Sequence, residues 1–212
     1  MEAVHTRKTG KGAAWKVFWL ALLGAAIWYL YDSYVYALTR DFDPGTTFWN
    51  RLVWYGAHIV VATPILLIAP LQFVAGIRHA RPEVHRWLGR VFLTSSIIAA
   101  PLGIYLGATL SNEGSRVPIA LLGLLWLLMS VSAWVTARRK DFANHRKFVV
   151  RSLALGLAFV WIRILDDFSE RALSFIPDKS AIETTQEWLA FVIPLLFVEI
   201  WLSWWPAARG RR

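Results

Sequence analysis

The chain has 212 residues, of which 57% are hydrophobic and only 17% are charged, and its formal net charge is +9. A soluble domain has about 25% charged and 45–50% apolar residues, so this composition is typical of a protein whose solvent is a lipid bilayer. The sequence contains no Cys, which excludes disulfides, iron–sulfur clusters and thiolate metal sites.

Six apolar stretches are long enough to cross a bilayer, since a spanning helix needs about 20 mainly apolar residues. The predicted spans are residues 14–38, 52–77, 87–110, 117–137, 148–165 and 188–205. They predict an all-α integral membrane protein, a six-helix bundle with residues 14–205 as its membrane domain. Basic tails of residues 1–13 and 206–212 flank this domain. For the first span a signal peptide is an alternative, because Val35-Tyr36-Ala37 resembles a cleavage site.

The connections differ in character along the chain. A polar loop of residues 39–50 precedes the second span, a basic turn of residues 78–90 joins the second span to the third, and residues 111–116 form a short turn. Pro82 and Asp141 are helix-start signals before the third and fifth spans. An acidic loop is expected over residues 166–187, and Pro206 is expected to end the last span.

The distribution of charge predicts the orientation. The N-terminus, residues 78–90, residues 138–151 and the C-terminal tail together hold 17 of the 23 Lys and Arg residues. The opposite loops and span ends hold 10 of the 14 acidic residues, from Asp32 to Glu187. Because Lys and Arg favour the cytoplasmic side, we expect a bacterial inner-membrane protein with both termini cytoplasmic. The positive charge then indicates anionic lipid headgroups as partners, and no nucleic acid.

Two of the basic segments resemble each other. The first contains His85-Arg86 followed by Arg90, and the second contains His145-Arg146 followed by Arg151. The two His residues are 60 positions apart, about one helical hairpin, so the hairpins within residues 52–165 are candidates for a structural repeat.

His85 and His145 are both predicted near the inner membrane boundary, where they are candidates for joint action. Two neutral imidazoles from different helices can ligate a haem iron, and neighbouring arginines can pair with the haem propionates. The sequence therefore offers a haem b site with His85 and His145 as metal ligands. Its propionate partners would be the arginines at positions 86, 90, 146 and 151. An interfacial basic cluster that contacts anionic lipid is the alternative.

Inside the second span, His58 and Gln72 form another candidate site. Their spacing of 14 residues places them on one helix face, about 21 Å apart along the axis. Pro64 and Pro70 lie between them and favour a kink. Polar side chains at this depth favour a ligand site, whereas simple hydrogen bonds to a neighbouring helix are the alternative.

Other charged residues are expected to be structural. Arg151 and Glu199 lie at matched depth in the fifth and sixth spans and are predicted to form an ion pair. Arg163 has acidic residues at positions i+3 and i+4, which predicts a local helix pair. The sequence contains no Gly-rich phosphate loop, no His-Glu-x-x-His and no Gly-x-Ser-x-Gly motif, so these enzyme templates do not apply and any catalytic activity is undefined.

Several motifs carry a resemblance to a known family. These are Gly56-Ala57-His58, Pro70-Leu71-Gln72-Phe73, the run from His85 to Phe92, Trp126, and the run from His145 to Ser152. Over residues 52–165 the chain resembles a bacterial predicted-membrane-protein family, domain of unknown function 2306. The resemblance implies a multi-span inner-membrane protein. A looser, architectural similarity to four-helix haem-b membrane cytochromes is an analogy.

Three functional hypotheses follow. The first is a haem-b electron-transfer or reductase-like protein that uses His85 and His145. The second is a carrier or sensor that binds a small apolar or anionic molecule in a cavity lined by His58 and Gln72. The third is a non-catalytic subunit that docks a membrane protein partner.

Overall fold

The computed structural model describes residues 9–39, 47–73, 75–109 and 113–210. Within these ranges the chain forms helices and no strand, which confirms the predicted all-α class, and six helical segments are long and apolar enough to cross a membrane. The described elements are α1 (Thr9–Thr39), α2 (Thr47–Gln72), α3 (Ala75–Ala80), α4 (Pro82–Ala108), α5 (Glu113–Arg138), α6 (Phe142–Gly156), α7 (Ala158–Ala172), α8 (Lys179–Glu199), a π-helical segment (Ile200–Trp204) and α9 (Trp205–Ala208).

The second predicted span, residues 52–77, is too long as one helix. The α2 helix passes through Pro64 but ends at Gln72, and α3 follows as a separate short helix. Pro70 supplies no N–H to the last turn, and the Phe73 N–H bonds to the Pro70 carbonyl at 3.3 Å. The chain thus turns tightly at the end of α2.

The fifth span is interrupted between α6 and α7 at Leu157. The Leu157 N–H still bonds to the Leu153 carbonyl at 3.0 Å, so the break is local and the segment Phe142–Asp166 remains one candidate span. Gly156 directly precedes the break. It lies against the Trp126 ring, where an added Cβ would stand 3.2 Å from Cζ2, so a glycine fits this position.

The acidic connection is shorter than predicted. The α7 helix continues to Ala172 and α8 begins at Lys179, so residues 166–187 are mostly helical. Asp178 caps α8 by accepting the Ser180 and Ala181 N–H groups, which explains the early start. Pro206 does not end the last helix either. It lies in the first turn of α9, where its missing N–H costs little.

The helix starts at Pro82 and Asp141 are confirmed. Pro82 opens α4, and the Asp141 side chain accepts the Asn144 N–H in front of α6. Much of residues 78–90 is therefore helical, and only Arg81 separates α3 from α4. The predicted loop of residues 39–50 and turn of residues 111–116 lie partly outside the described residues, as does most of the tail of residues 1–13.

Helices α2, α4, α5 and α6 form the centre of the bundle. α4 packs against α2 and α5, α6 packs against α5 and α8, and α1 packs against α2 and α7. Among the described helices, α4 and α6 both pack against α5 and are not close packing neighbours of each other. Small residues allow the close contacts: a Cβ on Gly123 would stand 2.5 Å from Ile104 Cγ1.

We call the end of the bundle with residues 78–90 and 138–151 the basic end. The opposite end, with Asp32, Arg163, Asp166 and Asp178, is the acidic end. The Arg151–Glu199 contact places the last turn of α8 beside the second half of α6, on the same side of the bundle as the basic end.

Candidate functional site

His85 and His145 lie in the first turns of α4 and α6, which both pack against α5, at the basic end. Both side chains are half-buried. They are close enough for His145 and Arg78 to act electrostatically on His85. The fold therefore brings together two imidazoles that are 60 residues apart in the sequence.

One hydrogen bond orients the His145 ring. Its Nδ1 lies 2.8 Å from the Ala133 carbonyl oxygen, and because a carbonyl can only accept, Nδ1 carries the proton. Nε2 of the neutral ring is then left with a free lone pair. His residues that ligate metals usually donate their other nitrogen in this way. The Nδ1 atom of His85 is buried and has no hydrogen-bond partner.

Gln72, at the end of α2, lies against Gly89 of α4, which is one helical turn after His85. It does not lie beside His58. Its side chain is buried, and its Oε1 faces Gly89, where an added Cβ would stand 3.5 Å away. Its amide nitrogen is buried without a hydrogen-bond partner. Two nitrogen atoms without partners, on Gln72 and His85, thus lie in the same part of the basic end.

The four arginines of the predicted haem site differ in their contacts. Arg86, Arg90 and Arg146 are exposed and form no ion pair with the described acidic residues. Arg151 forms a two-pronged ion pair with Glu199, through Nε to Oε1 and through Nη2 to Oε2 at 2.9 Å. The predicted Arg151–Glu199 ion pair is thereby confirmed, and this arginine is already neutralised.

Ser203 completes the Arg151–Glu199 pair. Its hydroxyl donates to Glu199 Oε2 at 3.0 Å and accepts from Arg151 Nη2 at 3.5 Å. The serine lies in the π-helical segment, whose wider turn follows directly after Glu199. π-bulges occur frequently at functional sites; here the segment carries the third member of a part-buried polar cluster.

The described residues hold no cluster of three or more His, Asp and Glu side chains that could bind a metal ion. Two histidines are too few to hold a bare Zn or Cu ion in the usual four-coordinate site. They are enough for a haem iron, because the porphyrin supplies four nitrogens and the protein supplies the axial ligands.

His58 belongs to a different site, in the apolar interior. Its Nδ1 lies 2.9 Å from the Ala99 carbonyl oxygen, and an added Cβ on Gly103 would stand 3.3 Å from its Cε1. His58 and Gln72 both face α4, as their spacing predicted. His58 lines a cavity of about 30 Å³ that Gln72 does not reach, so the two do not share one cavity here.

Sequence reasoning missed three structural features. Trp126, which carries part of the family resemblance, lines the His58 cavity, a placement that its position in the sequence did not indicate. Arg163 pairs with Asp166 at 3.4 Å as predicted, but also with Asp32 of α1 at 2.8 Å, a contact between residues 131 positions apart. Ser130 and Ser152 share a buried hydrogen bond of 2.8 Å between α5 and α6.

The fold and these sites define a multi-pass helical membrane protein with polar clusters built between its spans. A family model matches residues 55–202, more than half of the chain. The chain belongs to that family, which is described as Predicted membrane protein (DUF2306). No curated protein and no solved structure gives a significant match.

Proposed function

We propose that the basic end binds haem b between His85 and His145, and that the protein is an electron-transfer or reductase-like protein of the bacterial inner membrane. The observation that carries this proposal is the placement of the two imidazoles on α4 and α6. Because α4 and α6 both pack against α5 but not closely against each other, the two imidazoles could hold a flat macrocycle between the first turns of these helices.

The chemistry of the two rings fits axial ligation. The His145 ring is held by the Ala133 carbonyl with Nε2 free, and His85 is held by no hydrogen bond at Nδ1. If haem b were bound here, His85 and His145 would hold its iron, and the group would supply single-electron transfer. The protein's part is to fix the two ligands, exclude water and set the local charge.

The surrounding residues fit the propionates. Arg86, Arg90 and Arg146 are exposed at the same end, where they can form charge-assisted hydrogen bonds with carboxylates. The unpaired Gln72 amide nitrogen is a further donor. Arg151 is excluded from this role because Glu199 already neutralises it.

The same arginines support the proposed orientation. With the basic end on the cytoplasmic side, they lie among the anionic lipid headgroups. Each such charge contributes about 1 kcal/mol of attraction to the membrane surface. Lipid contact and haem binding therefore use one surface, and the experiment must separate them.

An absorbance scan of detergent-purified protein, with and without added haemin, tests the proposal. We expect a Soret band that shifts on reduction, and that is lost in His85→Ala and in His145→Ala. His79→Ala is the matched control, since His79 is exposed in the neighbouring helix α3. Size-exclusion chromatography verifies that each variant is folded. Absence of a Soret band after haemin addition, or a band unaffected by both substitutions, would refute the proposal.

A further inference from the structure

The cavity beside His58 lies in the interior of the bundle, away from the basic end. It is lined by residues of α1, α2, α5, α6 and α7, among them Tyr29, His58, Trp126, Gly156 and Phe159, and the others are aliphatic. Its volume is about 30 Å³. Nothing in the proposed haem site uses it.

One polar atom at this cavity lacks a partner, and a second side chain can accept a hydrogen bond. The Trp126 side chain is buried, and its Nε1–H has no hydrogen-bond partner. An indole N–H can only donate. His58 donates a hydrogen bond from Nδ1–H to the Ala99 carbonyl oxygen, so Nε2 of the neutral ring can accept a hydrogen bond. The cavity wall thus contains an unsatisfied donor and a histidine with acceptor capacity.

The volume of the cavity and the polar atoms in its wall together indicate which ligand fits. A cavity needs about 10–15 Å³ to hold a water molecule, so this one has room for water. Water donates and accepts, as the two side chains require. Burying an N–H without any partner is unfavourable, whereas a roomy apolar cavity without polar groups stays dry.

On the side of the acidic end, the cavity adjoins a polar cluster. Tyr29 lines the cavity and lies beside Ser33 and Tyr55, near the charges of Asp32 and Arg163. Asp32 and Arg163 are about half exposed. Towards the basic end the next polar layer is Ser130 and Ser152, which are fully buried and bonded to each other.

We propose that the cavity holds ordered water that bridges the Trp126 indole N–H and His58. We also propose that this water exchanges with the acidic side of the membrane through the cluster of Tyr29, Ser33 and Tyr55. The site is a small hydrated chamber inside the bundle. It is independent of haem binding at the other end.

Solid-state NMR on protein labelled with ¹⁵N-Trp, in lipid vesicles, tests the proposal. The Trp126 indole signal is assigned as the one that disappears in Trp126→Phe. We expect magnetisation transfer from water to this indole, and loss of the transfer in Ala62→Leu, which fills the cavity. If Ala62→Leu does not fold, Ala62→Val is used, with reduced transfer expected. No transfer in the unmodified protein, or unchanged transfer in the filled variant, would overturn the proposal.

The entry route has its own control. After transfer into D₂O, we expect deuterium exchange at the Trp126 indole to slow in Tyr29→Phe, which loses the hydroxyl but keeps the ring. Tyr31→Phe is the matched control, because Tyr31 lies on the same helix and is exposed. Equal exchange rates in the two variants would overturn the assignment of the route.

Discussion

Replacing Glu199 with Gln tests the Arg151–Glu199 pair, which links the fifth span to the sixth. The side chains are only 16% and 30% exposed within the protein. Glu199→Gln keeps the shape but removes the negative charge, so the guanidinium remains in the bundle with one amide oxygen and Ser203 as acceptors. Breaking a fully buried pair on one side costs about 3–5 kcal/mol, and because this pair is only part-buried, we expect a loss of at most about 3 kcal/mol.

For a chain of this size, a loss of about 3 kcal/mol corresponds to a fall of roughly 6–12 °C in Tm. Thermal unfolding in one detergent, followed by circular dichroism, measures it. The double variant Arg151→Met/Glu199→Leu removes both charges and keeps the volume. It should unfold within about 1 kcal/mol of the parent, because the desolvation cost disappears with the attraction.

Ser203→Ala is the matched control for this series. It removes one neutral partner from the cluster and leaves both charges paired, so we expect a loss of about 1 kcal/mol or less. The reasoning fails if the double variant is as unstable as Glu199→Gln, since the cost would then come from packing and not from an unpaired charge.

Two further predictions concern packing and capping. Gly123→Ala would place a Cβ 2.5 Å from Ile104 Cγ1 and should lower the free energy of unfolding by about 1–3 kcal/mol. The control variant Gly56→Ala, whose added Cβ has nothing within 4 Å, should be neutral or stabilising. Equal Tm values for the two variants would contradict the close α4–α5 contact. Hydrogen bonds from the Asn144 side chain and backbone lower the pKa of Asp141, so its stabilising effect is full above about pH 4 and is lost as the pH falls through the lowered pKa. Asp141→Asn keeps a capping side chain without the charge, so it should reduce the decrease of Tm at acidic pH. If Tm falls with pH as steeply in this variant as in the parent, the Asp141 cap is not the cause of that decrease.

The candidate sites were predicted in part. The Arg151–Glu199 ion pair was predicted only from the matched depth of the two residues in their spans, because opposite charges in a bilayer pair with one another. His58 and Gln72 share a helix face as their spacing required, but the sequence placed them in one cavity. The structure separates them, because α4 antiparallel to α2 brings Ala99 and Gly103 opposite His58, and Gly89 opposite Gln72.

Helix ends were harder to predict than helix existence. The predicted loop of residues 166–187 is mostly helical, because Asp178 caps α8 and amphipathic turns extend beyond the apolar core. Hydropathy measures only where a helix can meet lipid. Turns that rise above the apolar layer satisfy their own backbone and need no apolar side chains.

The sequence by itself determined the membrane environment, the number of spans and the helical class. The helical class follows because backbone groups in lipid must form their hydrogen bonds within each segment. Only the tertiary structure decided which spans pack against each other, and it places His85 and His145 in first helical turns at the same end of the bundle. It also decided that Trp126, Tyr29 and His58 share a cavity. These outcomes depend on interhelical packing, where small residues such as Gly123 and Gly156 fix distances that no periodicity along the chain encodes.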